Sequence, residues 1–186
     1  MKKQIVRERM LLLRRQLDDQ SYVRLSHQAQ QRLMTAASFQ QAKMLALYSP
    51  IRHEVATEQI FFAARAAGKQ VFYPRVVGEE LEFREVSAAT DLVAGAFGVA
   101  EPSGGSMVRA DELDLIVVPG VAFSPDGFRL GYGRGFYDRQ LVGRPPTTVA
   151  VGLGFDLQLV DSLPVEEHDQ RLDCVVTETR FIPCRA

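Results

Sequence analysis

Only two cysteines, Cys174 and Cys184, occur in 186 residues, too few for a disulfide framework. No cysteine–histidine cluster has the spacing of a zinc site. The formal net charge is −1, so no basic excess exists to neutralise many phosphates, which argues against broad electrostatic binding to nucleic acid. No apolar run approaches the roughly eighteen residues a membrane span requires. The basic cluster near the start (Lys2, Lys3, Arg7, Arg9, Arg14, Arg15) lacks the apolar stretch and cleavage site of a secretory signal. The chain therefore reads as cytoplasmic. A GxxxxGK[ST] loop is missing, and so is the GxGxxG of dinucleotide-binding folds.

What remains is ordinary for a soluble globular protein: 46% hydrophobic and 24% charged residues, in a length suited to one domain over residues 1–186. Residues 2–17 read as a helix with Ile5, Met10, Leu13 and Leu17 on one stripe. Asp19 or Ser21 would cap a second helix reaching about Ala37. Met44–Tyr48 reads as a strand stopped by Ser49 and Pro50. Thr57 would cap a helix closed by Gly68. Val71–Tyr73 is a strand ended by Pro74, and the alternating Leu81–Val86 suits a sheet edge. Ser87–Asp111 reads as loop with short elements. Val149–Leu153 and Cys174–Thr177 supply the last strands. Repeated strand–helix–strand order predicts an α/β fold with a mostly parallel sheet, whose ligands collect at the strands' carboxyl ends.

The richest segment runs from Asp114 to Leu141. Leu115 to Val118 is a continuous apolar run, as in a strand covered on both faces, and Pro119–Gly120 ends it. Gly131, Gly133 and Gly135 then alternate with Tyr132, Arg134 and Phe136. Such glycines permit positive φ and close backbone approach, and successive amides can cradle an anion. Arg129 and Arg134 add fixed positive charge, and Asp138 a hard oxygen donor suited to magnesium. Together they point to a polyphosphate and its metal. Lys3 and Arg7, one turn apart, matter only if the first helix folds back over this loop. Glu54 reads either as a loop carboxylate near the Thr57 cap or as a carboxylate at a strand's carboxyl end, placed to accept hydrogen bonds from a polar ligand. Asp169 and His168 lie in a polar loop, and Tyr48, Phe123, Tyr132 and Phe136 could stack on a flat heterocycle.

Four segments in this order resemble the 5-formyltetrahydrofolate cyclo-ligase family: the basic helix with Lys3 and Arg7, EVAT at 54–57, PGVAFSPDGFRLGYGRGFYDR at 119–139, and LPVEEHD at 163–169. The resemblance implies a three-layer α/β/α fold like that of ribose-phosphate isomerases and coenzyme A transferases. It also implies closure of 5-formyltetrahydrofolate to 5,10-methenyltetrahydrofolate, with ATP as co-substrate and magnesium; the chain is expected to act as a monomer. Carried over by position, Lys3, Arg7, Arg129, Leu130, Gly131, Tyr132, Gly133, Arg134, Gly135, Phe136 and Tyr137 would bind ATP. Ser49, Glu54 and residues 132–136 would bind folate. Asp138 and Asp169 would hold magnesium. Arg129, Arg134 and Asp138 are the catalytic candidates. Two other readings compete: another enzyme of the same fold, or a non-catalytic folate- or nucleotide-binding module.

Overall fold

A computed structural model of the chain describes residues 3–184, so Lys2 lies outside the described residues. In chain order the elements are α1 (Lys3–Arg15), α2 (Asp19–Thr35), α3 (Ala37–Gln41), β1 (Met44–Ala46), α4 (Glu58–Ala66), β2 (Gln70–Val77), β3 (Glu80–Glu85), β4 (Leu92–Ala94), β5 (Ala100–Pro102), β6 (Met107–Val108), β7 (Leu115–Val118), β8 (Ala122–Phe123), β9 (Arg129–Leu130), α5 (Phe136–Leu141), β10 (Val149–Leu153), β11 (Cys174–Val176) and β12 (Phe181–Pro183). Eight strands form the main sheet in the order β12-β11-β10-β7-β1-β2-β3-β6. Strands β11, β10, β7, β1 and β2 pair in parallel, and antiparallel strands flank them at both ends. The expected mostly parallel α/β fold is present.

Every residue of β7 is buried, because its two faces meet different layers. Leu115 and Val117 join the cluster beneath α2 and α4, with Leu33, Ile60 and Ala64. Ile116 and Val118 face the opposite layer, with Phe123 and Leu141 of α5. Helix α1 packs over the β8–β9 hairpin through Val6 and Met10. The sheet is thus covered on both sides, and its carboxyl ends stay open to a cleft.

Several local expectations are corrected. The buried stripe of α1 is Val6, Met10 and Arg14, whereas Ile5 is 54% exposed. Asp18 caps α2, accepting the Ser21 N–H. Thr57 precedes α4 but makes no side-chain cap, because its hydroxyl donates to the Tyr48 carbonyl. Pro74 lies inside β2 instead of ending it. Val76, two residues on and facing the same way, gives its N–H to Glu101 and not to β3, so the N–H that Pro74 lacks was never needed by that ladder. Strand β3 is covered by β6 and is not the edge. The β8–β9 hairpin and β12 are additions that periodicity did not indicate.

Gly68 does close α4, at φ +74, with its N–H on the Arg65 carbonyl. Nothing lies within 4 Å of where a Cβ would sit. Gly68→Ala should therefore cost about 1 kcal/mol, purely from backbone conformation. A urea midpoint unchanged from the wild type would contradict this.

Candidate active site

The carboxyl ends of β1 and β7 open onto a cleft of about 770 Å³. Lys3, Arg7, Ser49, Glu54, Asp138, Asp169 and the whole 129–137 segment line it. The fold brings these sequence candidates to one cavity through α1. That helix crosses over the glycine loop, where Arg7 Nε donates to the Gly131 carbonyl at 2.9 Å. A Cβ at Gly133 would meet Arg7 Nη2 at 3.5 Å, an ordinary contact, so it is the φ of +99 that calls for glycine there. Gly135, at φ +66, stands at the N-cap of α5. Gly131 is not in the left-handed region, so only two of the three alternating glycines are needed for their φ.

The cationic end is built from ion pairs. Arg129, whose side chain is 5% exposed, donates Nη1 to Asp138 Oδ1 at 3.0 Å. The same oxygen accepts the Gln170 N–H at 3.1 Å, which pins the 163–169 loop to α5. Lys3 Nζ meets Asp169 Oδ2 at 2.8 Å and Glu166 at 3.3 Å. Burial raises the Asp169 carboxyl, but Lys3 and the Glu166 N–H outweigh it and hold the carboxyl below its ordinary value. Among the described residues no group of three or more His, Cys, Asp or Glu could hold a metal. Magnesium at phosphoryl-transfer sites commonly takes one or two carboxylates and completes its shell with substrate phosphates and water. Asp138 and Asp169 on one cleft suit that requirement.

The other end is built around Glu54, which is 4% exposed. Its Oε2 accepts the Ile51 N–H at 3.1 Å, and its Oε1 is buried without a partner. Burial pushes its carboxyl up to about 7, opposed chiefly by the Arg14 charge. Tyr132 stands beside it, its hydroxyl accepting from Arg14 Nη2. Ser49 Oγ donates to the Ala100 carbonyl and ties β5 to the cleft.

Other candidates are placed differently from one another. The Arg134 guanidinium stacks 4.2 Å over the ring of Phe97 and bridges the cleft mouth. Phe123 is fully buried and does not line the cleft; its ring occupies the notch left by Gly120, Gly152 and Gly154. Tyr48 is buried too, its hydroxyl committed to the Val55 carbonyl. The His168 side chain is largely exposed beside Glu166. Sequence reasoning missed Arg14, Phe97 and Glu101. Arg14 was legible in principle: it falls four and eight residues after Met10 and Val6, on the face that α1 buries.

Comparisons with known proteins bear on this geometry. The model of the 5-formyltetrahydrofolate cyclo-ligase family matches residues 1–178. The 5-formyltetrahydrofolate cyclo-ligase of Escherichia coli K12 is 33% identical over 173 residues, covering 90% of this chain and 95% of that protein. The NMR structure of Aquifex aeolicus 5,10-methenyltetrahydrofolate synthetase superposes with a TM-score of 0.89 at 35% identity, over 100% of this chain and 94% of that one. A 5,10-methenyltetrahydrofolate synthetase from Mycoplasma pneumoniae gives 0.79 at 25% identity, over 96% and 99%. No helix among the described residues is long and apolar enough to cross a membrane. With the whole fold and nearly the whole sequence matched, the chain belongs to the 5-formyltetrahydrofolate cyclo-ligase family and is an enzyme.

Proposed function

We propose that this enzyme closes 5-formyltetrahydrofolate to 5,10-methenyltetrahydrofolate, consuming ATP with magnesium and releasing ADP and phosphate. The observation that carries the reading is a single cleft with fixed cations around a glycine loop at one end and a buried, half-satisfied carboxylate at the other. A bare folate-binding module has no need of the cationic end. An isomerase or acyl transferase of the same fold has no need of an ATP–magnesium site, and Asp138 and Asp169 lining one cleft with the cationic glycine loop count against it.

A formamide carbon is a poor electrophile because the nitrogen lone pair is delocalised into the carbonyl. Transfer of the γ-phosphoryl group to the formyl oxygen forms a P–O bond and breaks the bond to the ADP oxygen. The carbon becomes iminium-like. The anilino nitrogen then attacks it, a proton leaves that nitrogen, and the C–O bond breaks to release phosphate. Atoms and electrons balance without any redox partner. Positioning and charge stabilisation are what the protein supplies. Lys3, Arg7 and Arg129 neutralise phosphate charge, and the loop amides at Gly133 and Gly135 approach it without side-chain interference. Arg134, at the mouth, adds charge where the phosphoryl group transfers. Asp138 and Asp169 would hold magnesium, which neutralises phosphate charge when bound. Glu54 accepts N–H groups of the pterin, for which its unpartnered oxygen is available.

The test is turnover of purified protein with 5-formyltetrahydrofolate, followed by the near-ultraviolet absorbance of the methenyl product. Product should require both ATP and magnesium. Folate binding without product would favour the non-catalytic module, and product without ATP would overturn the phosphorylation step.

A further inference from the structure

Arg14 of α1 is 1% exposed, and a charge so deeply buried requires partners for its N–H groups. Its Nε donates to the Arg52 carbonyl at 2.9 Å, Nη1 to the Gly120 carbonyl at 3.1 Å, and Nη2 to the Tyr132 hydroxyl at 2.6 Å. Those acceptors belong to three separate walls of the cleft: the 51–54 turn, the exit of β7 and the glycine loop.

The turn it grips is strained. Arg52 and His53 stand at φ 49 and 59, a pair of values that glycine or asparagine usually supplies in a tight turn. The Glu54 N–H closes the turn on the Ile51 carbonyl at 2.9 Å. Such a conformation persists only where its surroundings over-determine it. Here Arg14 holds the Arg52 carbonyl, and the Tyr22 hydroxyl donates to the Glu54 carbonyl at 3.0 Å. The Tyr22 ring meets His53 edge-on, and the Arg52 guanidinium lies 5.2 Å over the Tyr132 ring. The product of these constraints is one carboxylate with a buried, unpartnered oxygen at the cleft.

We propose that Arg14 is a positioning residue for the folate substrate: through the Arg52 carbonyl and the Tyr132 hydroxyl it holds the strained turn in the arrangement that presents Glu54 to the cleft. The inference rests on Glu54 being the pterin contact. The charged and titratable groups facing Glu54 are Arg14 from α1, Tyr22 from α2, Tyr48 beyond β1, Arg52 in the turn, Tyr132 in the glycine loop and Tyr137 of α5. Arg14 and Arg52 are the cations in that set, so Arg14 also supplies charge that favours the ionised Glu54.

The experiment is calorimetric binding of 5-formyltetrahydrofolate without ATP, joined to kcat/KM for folate from about pH 5.5 to 9. Arg14→Gln should raise the folate Kd about tenfold or more, leave the ATP KM within about twofold, and move the acid limb of the profile to higher pH. Arg14→Lys keeps the charge and lacks the planar fork, so folate should weaken about threefold with the limb unmoved. That milder variant also decides the matter if Arg14→Gln does not fold. Unchanged folate binding in Arg14→Lys, or folate and ATP constants rising together, would overturn the proposal. Glu54→Gln separates the two readings. If it binds folate normally, the assignment of Glu54 fails; if it weakens folate while the Arg14 variants do not, only the role of Arg14 fails.

Discussion

Arg129→Ala is expected to lower kcat by about three orders of magnitude, the scale seen when a preorganised charge at a transferring group is removed. Two effects add. The variant loses a cation that is nearly buried on the cleft wall, and it leaves Asp138 without its ion-pair partner. The remaining carboxylate would then repel the phosphates that Arg129 is proposed to attract. Arg129→Lys keeps the charge but has no planar fork to span Asp138 and phosphate together, so an intermediate loss is expected. Asp138→Ala should also cut turnover severely, because it removes one of the two carboxylates suited to magnesium. Single-turnover kinetics with far-ultraviolet circular dichroism, to show an intact fold, would decide this. Near-full activity in Arg129→Ala sinks the assignment of the cationic end.

Glu54→Gln should weaken 5-formyltetrahydrofolate binding by about 100-fold, since it removes the charge from hydrogen bonds made in a dry pocket. Its pH behaviour makes the prediction sharper. Burial pushes the carboxyl up to about 7. An acceptor that must be ionised to bind will therefore bind about tenfold more weakly for each pH unit below 7, and that slope should vanish in Glu54→Gln. Stability moves the other way. Between the ordinary carboxylate range and pH 7 the folded chain holds a proton that the unfolded chain has released. Stability thus falls as pH rises through this window, by up to about 3 kcal/mol, and the loss is complete above it. Glu54→Gln should melt higher than the wild type at pH 8 and lose that advantage near pH 4. A flat pH profile for folate in the wild type, or a lower melting temperature in the variant at pH 8, contradicts this account. With Glu54 as the proposed pterin contact, the carboxylate is kept for binding at a cost in stability, and the strained turn at Arg52 and His53 is a second cost at the same place.

The parallel strands were legible because burial on both faces leaves an unbroken apolar run, as in Leu115–Val118, and such runs need no knowledge of their neighbours. Gly68 was legible for the same local reason: a left-handed helix end selects glycine whatever surrounds it. Pro74 misled because proline ends a strand only where its N–H would have joined a ladder, and strand pairing is a non-local fact. Ile5 misled because the face a helix buries depends on what covers it, here the β8–β9 hairpin. Arg14 was hidden in a basic cluster, since net charge does not say which arginine turns inward.

By itself the sequence determined the α/β class, the glycine loop with its flanking charges, and the separate pieces at Lys3, Glu54 and Asp169 that mark the family. These are properties of short segments, where spacing and residue type suffice. Only the tertiary structure decided that α1 lies across the loop, so that Arg7 meets Gly131 and Lys3 meets Asp169, 166 positions away in sequence. It alone decided that Glu54 is buried beside Arg14. The physical reason is that burial and charge pairing belong to packed neighbours, and packing joins residues whose separation along the chain carries no signal of their contact.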